Sequence, residues 1–512
     1  MHSRFGKEKS LSEPAIEPDI TLLLEGTYPF VRGGVSGWVH QLIEGMPDLK
    51  FALVYLGAEK QDDEILRYKL PSNVIHLQCH YLMEDLNIGK PEARPGDSAY
   101  FRDSEKLHDW FRCPVGKPDP AWIDRVLLQE GSVDNGYTRD FFYSQAAWEQ
   151  IKKSYNQFCP DASFQAYFWS IRNMHAPLLK LSAIARGIKP GKAIHTVTTG
   201  YAGLLGVMLR QMTGCPLILT EHGIYTKERK IELLSRFLQE MPPGLSNVPE
   251  AGMEHHHQTW VRMFEGVGRL VYQASDPIIS LYELNRQRQI HDGAEPSRTR
   301  IIPNGVDVTQ FVHLRAQRAA TTPRVLGLIG RIVPIKDIKT FIRCVGVLVT
   351  RMPDVEGWLI GPEEEDPMYV DECRALVQSL KLEKNIRFMG FQKVQDVLPQ
   401  LGLMVLTSIS EAFPLVLLEG FASGLPALTT DVGACRDLIY GNEPEDRALG
   451  SAGAVVSMVD HDAMAQAAFA LFNDPVRWKA AQQAGIARVE RYYQQSFVID
   501  DYRSIYREAG VH

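Results

Sequence analysis

Short apolar runs closed by turn residues recur along this chain and alternate with segments of helical period. The first, "ITLLLEG" at 20–26, leads through a Gly-Gly loop into the helical "GVSGWVHQLIEGM". "KFALVYLG" at 50–57, "NVIHLQC" at 73–79, "KAIHTVTTG" at 192–200, "CPLILTEHG" at 215–223 and "DPIISLYELN" at 276–285 repeat the theme. Strands apolar on both faces and separated by helices demand parallel sheets covered on both sides. A second series begins at "PRVLGLIGR" (323–331) and continues with "EGWLIGP" (356–362), "NIRFMGF" (385–391), "LMVLTS" (403–408), "LPALTTD" (425–431) and "AGAVVSM" (452–458). Two series imply an α/β protein of two Rossmann-like domains. A chain of 512 residues is also too long for one ordinary core.

The expected division is a loose polar tail at 1–18, a first domain at 19–308, a second at 309–490 and a final helix at 491–512, with a hinge near 303–323. Residues 84–139, rich in Asp, Pro, Gly and Trp, read as an irregular insertion, and an interrupted helical region carries it on to about 188. Ligands of parallel sheets bind at the carboxyl ends of the strands, so two such sheets face each other across a cleft and motifs at strand ends line it.

Composition removes several function classes. A net charge of -7 argues against a nucleic-acid binder. Seven scattered cysteines without a C-x-x-C make neither a disulfide framework nor a zinc ribbon, and they fit a reducing compartment. The N-terminus lacks an apolar core, and no apolar run approaches the ~18 residues of a membrane helix. A cytoplasmic protein is expected.

"SEAFPLVLLEG" at 410–420 carries Glu411 and Glu419 eight residues apart in an otherwise apolar stretch. It joins a strand to a helix, where free backbone N–H groups make an anion site. Pro414 has no N–H, so Phe413, Leu415 and Val416 must supply them. Glu411 can then bind a polyol beside the anion and Glu419 a second hydroxyl pair; a capping carboxylate and a solvent-facing helix residue are the alternative. "GRIVPIKD" at 330–337 sets Arg331 and Lys336 at one strand end, as a diphosphate requires, or as a salt-bridged helix start would. Gly33 and Gly34 allow a ligand close to the backbone, or make a plain turn. His222, just past a strand, can reach a substrate hydroxyl or be structural.

Other motifs read as architecture. His195 lies within or at the end of a strand and is taken as structural. Asn304 and Asp307 of "IPNGVD" fix a turn, and "DHD" at 460–462 caps a helix. The histidines of "MEHHHQ" (253–258) diverge on a helix and are not taken as metal ligands. The basic amphipathic stretch 226–241 either packs on its own domain or touches a membrane surface or membrane partner.

Together, Gly33-Gly34, His222, "IPNGVD", Arg331 with Lys336, and Glu411-x7-Glu419 followed by "GLPALTTDVG" resemble the retaining GT-B glycosyltransferases of family four. The N-terminal "LLLEGTYPFVRGGVSGWVHQLI" and "TEHGIYTKER" are similar, more narrowly, to the cytosolic glycosyltransferases of the Pel exopolysaccharide system. The resemblance implies a GT-B fold with an acceptor-side first domain, a nucleotide-sugar-binding second domain and a last helix crossing back to the first. It implies that Arg331 and Lys336 hold the diphosphate, Glu411 the donor sugar and Glu419 the ribose, with His222 and the Gly33-Gly34 loop approaching from the first domain. Ala412 stands where Gly is frequent, and "VGACRD" replaces the frequent G-G-x-x-E ending, leaving Asp437 at the acidic position.

The implied reaction moves a sugar from a UDP-sugar to a growing glycan with retention. It has no cofactor and no metal, because Arg331 and Lys336 supply the positive charge. The implied partners are a nucleotide-sugar donor, a glycan acceptor and inner-membrane polysaccharide synthase or export proteins, with no nucleic acid. A UDP-sugar epimerase of the same fold and a nucleotide-binding, non-catalytic synthase subunit are the alternatives.

Overall fold

The computed structural model describes residues 17–60, 65–84, 90–114, 116–130, 136–160, 163–231 and 250–511, the side chains of 250–257 excepted. The first domain is built on β1 (Ile20–Glu25), β2 (Phe51–Gly57), β3 (Val74–Tyr81), β4 (Ala193–Thr196), β5 (Leu217–Glu221), β6 (Ile278–Ser280) and β7 (Thr299–Ile301). All pairs are parallel, in the order β3-β2-β1-β4-β5-β6-β7. The second domain uses β8 (Val325–Ile329), β9 (Glu356–Ile360), β10 (Ile386–Gly390), β11 (Leu403–Leu406), β12 (Ala427–Thr430) and β13 (Gly453–Val456). Its order is β10-β9-β8-β11-β12-β13, again parallel.

Each sheet is buried on both faces, as its apolar runs require. Leu23, Val54 and Ile194 pack into one core of the first domain, and Leu22, Leu24 and Leu53 into another on the opposite face. Leu326 and Leu328 against Met404 and Leu406 divide the second domain in the same way.

The chain passes between the domains twice, and the two crossings lie side by side. Val306 N donates to Tyr493 O at 2.9 Å and Gln495 N to Val306 O at 3.0 Å. Gly305 is needed there, because a Cβ would sit 2.8 Å from Gln495 Cα. After the second crossing the final helix, Gln495–Glu508, buries Tyr502 and Tyr506 in the first domain.

Among the described residues of 84–139, the chain is not irregular throughout as expected. A helix runs through Ser98–Arg112, capped by Asp97, whose carboxylate accepts from Ala99 N at 2.7 Å and Tyr100 N at 3.1 Å. Tyr100, Leu107, Trp110 and Phe111 join the core shared with helix Glu250–Ala274. The Trp and Phe residues that blur the local pattern are the buried face. Helix Phe164–Gly187 then continues unbroken through Pro177. The histidine run at 255–257 falls in Glu250–Ala274, but its side chains lie outside the described residues, as do 232–241 of the basic stretch.

Candidate active site

In the first sheet the chain changes its direction of growth between β1 and β4, and in the second between β8 and β11. Open parallel sheets bind ligands beyond the strand ends at such points. The loop after β8 carries Arg331 and Lys336, and the loop after β11 carries Ser408 and Glu411. Because β8 and β11 are paired neighbours, the two loops meet. Lys336 Nζ lies 2.5 Å from Glu411 Oε1, and Ser408 Oγ donates to the same oxygen at 2.6 Å. The backbone locks both loops: Thr407 Oγ1 donates to Lys336 O at 2.8 Å, and Ile409 N to Ile335 O at 2.9 Å.

Arg331 does not join that cluster. It is 52% exposed and held by Glu365 at 2.5 Å. The two cations expected at one strand end are therefore engaged by different carboxylates.

Helix Leu415–Ala422 starts directly behind Glu411, with Pro414 as its cap. The amides of Phe413, Leu415 and Val416 have no hydrogen-bond partner among the described residues. Those at a helix start have no preceding carbonyl to use. One turn deeper, Glu419 is partly buried and likewise unpartnered among the described residues. Burial pushes its carboxyl up to about 7.

Two contacts hold this loop from outside. Asn304, on the first crossing, does not fix a turn as expected: its Nδ2 donates to Phe413 O at 3.2 Å and ties the hinge to the loop. Gly433, with φ at +54°, packs backbone to backbone: a Cβ would lie 2.3 Å from Glu411 O and 2.4 Å from Ala412 O.

The first domain contributes from the opposite side. The Gly33-Gly34 loop follows β1, and a Cβ on either glycine would meet nothing within 4 Å. Gly33 is extended, at φ 173°, so neither packing nor backbone geometry demands a glycine there. The neighbouring Arg32 guanidinium lies 5.7 Å from the Phe391 ring centre, which brings this loop against the second domain. His222 follows β5, with its ring edge-on to Trp38, centroids 4.7 Å apart. Its Nε2 is buried without a partner among the described residues, and burial lowers its pKa to about 4, so the ring is neutral near pH 7. His195 is fully bonded inside the core, to Tyr506 Oη at 2.8 Å and Thr220 Oγ1 at 2.9 Å. Asp307 accepts from Thr309 N at 3.0 Å, and Asp460 caps its helix through Ala463 N at 2.9 Å.

Sequence reasoning overlooked Ser408, Glu365 and the brace formed by Asn304. The only signal for Ser408 was its place one strand-end before Glu411. It also passed over the buried carboxylates beneath the first-domain loops. Glu221 accepts from Thr199, Tyr225, Tyr272 and Gln289, and Glu25 from Ala202 N and the Tyr225 hydroxyl.

Two doubly wound parallel domains, joined by a double crossing and a returning C-terminal helix, define the GT-B glycosyltransferase fold. The chain belongs to the family described as Domain of unknown function (DUF3492), whose model matches residues 18–297. Residues 323–474 match the model for Glycosyl transferases group 1. A D-inositol 3-phosphate glycosyltransferase of Streptomyces griseus is 28% identical over 39% of this chain and 48% of its own length. The lipopolysaccharide core biosynthesis mannosyltransferase LpsB of Rhizobium meliloti is 28% identical over 38% of this chain and 56% of its own. The chain thus spans about half the length of these curated relatives. Among solved structures, Anabaena HepE in complex with UDP and glucose superposes with a TM-score of 0.57 at 14% identity, covering 95% of this chain and 99% of HepE. Sucrose-phosphate synthase from Thermosynechococcus elongatus gives a TM-score of 0.57 at 17% identity, covering 95% of this chain and 98% of that one.

Proposed function

We propose that this protein is a retaining glycosyltransferase that moves a sugar from a UDP-sugar to a growing exopolysaccharide of the Pel type. The observation that carries the reading is the meeting of Lys336, Ser408 and Glu411 at the second-domain switch point, one helix turn from the unpartnered Glu419. HepE, of the same fold, is known in complex with UDP and glucose. The resemblance of the first-domain motifs to PelF supports the Pel assignment.

Each residue then has one task. The unpartnered amides at Leu415 and Val416 receive a phosphate oxygen, favoured by the helix start. Lys336 leaves Glu411 for the diphosphate, and Arg331 leaves Glu365. Both neutralise charge that grows on the leaving group. Glu411, released from Lys336, accepts hydrogen bonds from sugar hydroxyls, and Glu419 accepts them from the ribose. Neutral His222 presents Nε2 to a sugar hydroxyl from the other side. The leaving phosphate takes the acceptor proton on the face where the new bond forms, so no protein nucleophile is required.

The test is thermal unfolding of the protein with UDP, UDP-glucose, UDP-N-acetylglucosamine and UDP-N-acetylgalactosamine, followed by transfer assays with and without EDTA. A ligand of the native state raises the melting temperature by mass action. UDP and one UDP-sugar should stabilise the protein, and UDP release should require acceptor and survive EDTA. Sugar interconversion without acceptor would mark an epimerase, and binding without turnover a non-catalytic subunit.

A further inference from the structure

His108 and His175 face each other inside the helical insertion, away from the candidate active site. His108 lies on helix Ser98–Arg112 and His175 on helix Phe164–Gly187. Their Nε2 atoms are 2.7 Å apart. Each Nδ1 is bonded to a carbonyl one turn back on its own helix, His108 to Ser104 O at 2.6 Å and His175 to Ile171 O at 2.7 Å. A carbonyl oxygen only accepts, so each Nδ1 must carry hydrogen. Both Nε2 atoms would then turn lone pairs toward each other. Moving one hydrogen to Nε2 repairs the centre but sets a bare Nδ1 against a carbonyl. The Ser104 hydroxyl, 3.4 Å from His108 Nδ1, does not occupy that closer contact.

Three contacts therefore need three hydrogens, and two neutral imidazoles bring two. We propose that His108 and His175 bind one additional proton between them, as an Nε2–H⁺···Nε2 pair that clasps the two helices. A separation of 2.7 Å suits a charge-assisted hydrogen bond. A tetrahedral metal with bonds of about 2.0–2.1 Å would hold its nitrogens about 3.3 Å apart. No group of three His, Cys, Asp or Glu side chains gathers for a metal among the described residues.

No described carboxylate touches the pair to supply a counter-charge, and the Arg112 guanidinium opposes the added proton. Cavities of about 70 and 260 Å³ flank the pair. On the helix of His108, Glu105 is paired with Lys153 of Gln145–Phe158, and Asp109 with Arg112 at 2.8 Å. Among the described residues, Arg262 of Glu250–Ala274, Tyr167 and Cys159 complete the titratable groups lining these cavities. The Phe141 ring stacks on His175, centroids 4.9 Å apart at 25°, and its π face favours a cation. Burial, with the Arg112 charge beside His108 and His108 beside His175, favours neutral rings, drawing His108 to about 4 and His175 to about 3. The same burial bars a second extra proton. The first is kept because no other described group fills the central contact.

Thermal unfolding of the full-length protein between about pH 6 and pH 9 tests this, comparing wild type with His175→Gln. The glutamine amide can donate to His108 Nε2 without an added proton. A shared proton whose folded pKa lies above the ordinary histidine value gives stability below about pH 6.5 that is lost as pH rises through the folded pKa. The wild-type melting temperature should therefore fall with pH relative to His175→Gln, and parallel curves overturn the proposal. If the variant does not fold, nitrogen-15 NMR of histidine-labelled wild type decides. One ring bearing hydrogen on both nitrogens is expected near neutral pH. Two rings with bare Nε2, or a stoichiometric metal by elemental analysis, would refute it.

Discussion

Glu419 is the residue whose chemistry is most exposed to a simple measurement. Its carboxyl is raised to about 7 by burial alone. The folded state favours the neutral acid. Stability from this group is present at low pH and is lost as pH rises from the unfolded value near 4.5 to about 7. A ribose diol donates hydrogen bonds, for which the carboxylate is the better acceptor. UDP should therefore bind more tightly as pH passes upward through about 7, with a proton released on binding. UDP has its own titrating phosphate, so the quantity to compare is the pH slope of wild type against Glu419→Gln by calorimetry. Equal slopes would remove Glu419 from the ribose.

Lys336 and Glu411 are joined by a hydrogen bond, yet their variants should differ. Lys336→Ala removes charge that counts most when the leaving group departs, so turnover should fall at least ~10²-fold. It also leaves Glu411 with only Ser408. Glu411→Ala should leave UDP affinity nearly intact and cut mainly kcat, because it contacts the transferred sugar rather than the nucleotide. Loss of UDP binding in Glu411→Ala, measured on folded protein, would reverse the two glutamates' roles.

At the scale of elements, the loop after β11 is shaped by contacts distant in sequence. Gly433 lies against Glu411 and Ala412 in the left-handed region, where a side chain costs roughly 1–2 kcal/mol before any clash. Gly433→Ala adds a collision with two backbone oxygens that cannot swing away. A lower melting temperature and a kcat loss larger than the loss in UDP affinity are expected, because the loop displaced carries Glu411. Wild-type kcat in a folded Gly433→Ala protein would show that the loop tolerates movement.

The central strands were legible because each is a run buried on both faces, a signal carried by the residues themselves, while the edge strands β3 and β10 were read from apolar runs that are only partly buried. β7 was not, since three residues, two of them exposed at the sheet edge, leave no such run. The insertion misled for a related reason. Its helices are held by a shared core with Glu250–Ala274, which no local window contains. Glu411, Arg331 and Lys336 were visible as residues of strand-end loops, and Glu419 as a carboxylate in the helix that follows. The contact between Lys336 and Glu411 spans 75 positions and exists only because β11 inserts beside β8, a fact of strand order.

At the scale of the molecule, the last helix makes the first domain depend on the end of the chain. Tyr506 Oη meets His195 Nδ1 at 2.8 Å, His195 Nε2 meets Thr220 Oγ1 at 2.9 Å, and Tyr502 Oη meets the same Thr220 oxygen at 2.9 Å. Trp38 packs edge-on against Tyr502 and against His222, so the helix also backs the ring just past β5. Tyr506→Phe keeps the ring and removes only the hydroxyl, leaving His195 Nδ1 buried without a partner. Such an orphaned group costs about 1–3 kcal/mol. The melting temperature of the first domain should fall accordingly, while UDP affinity stays at the wild-type value, because the residues proposed to hold UDP lie in the second domain. Calorimetric unfolding with and without saturating UDP separates the two effects. If Tyr506→Phe weakens UDP binding as much as it weakens the fold, the domains are coupled through the double crossing more tightly than two short backbone hydrogen bonds imply. If it changes neither, His195 has found another partner and the tyrosine hydroxyl is dispensable.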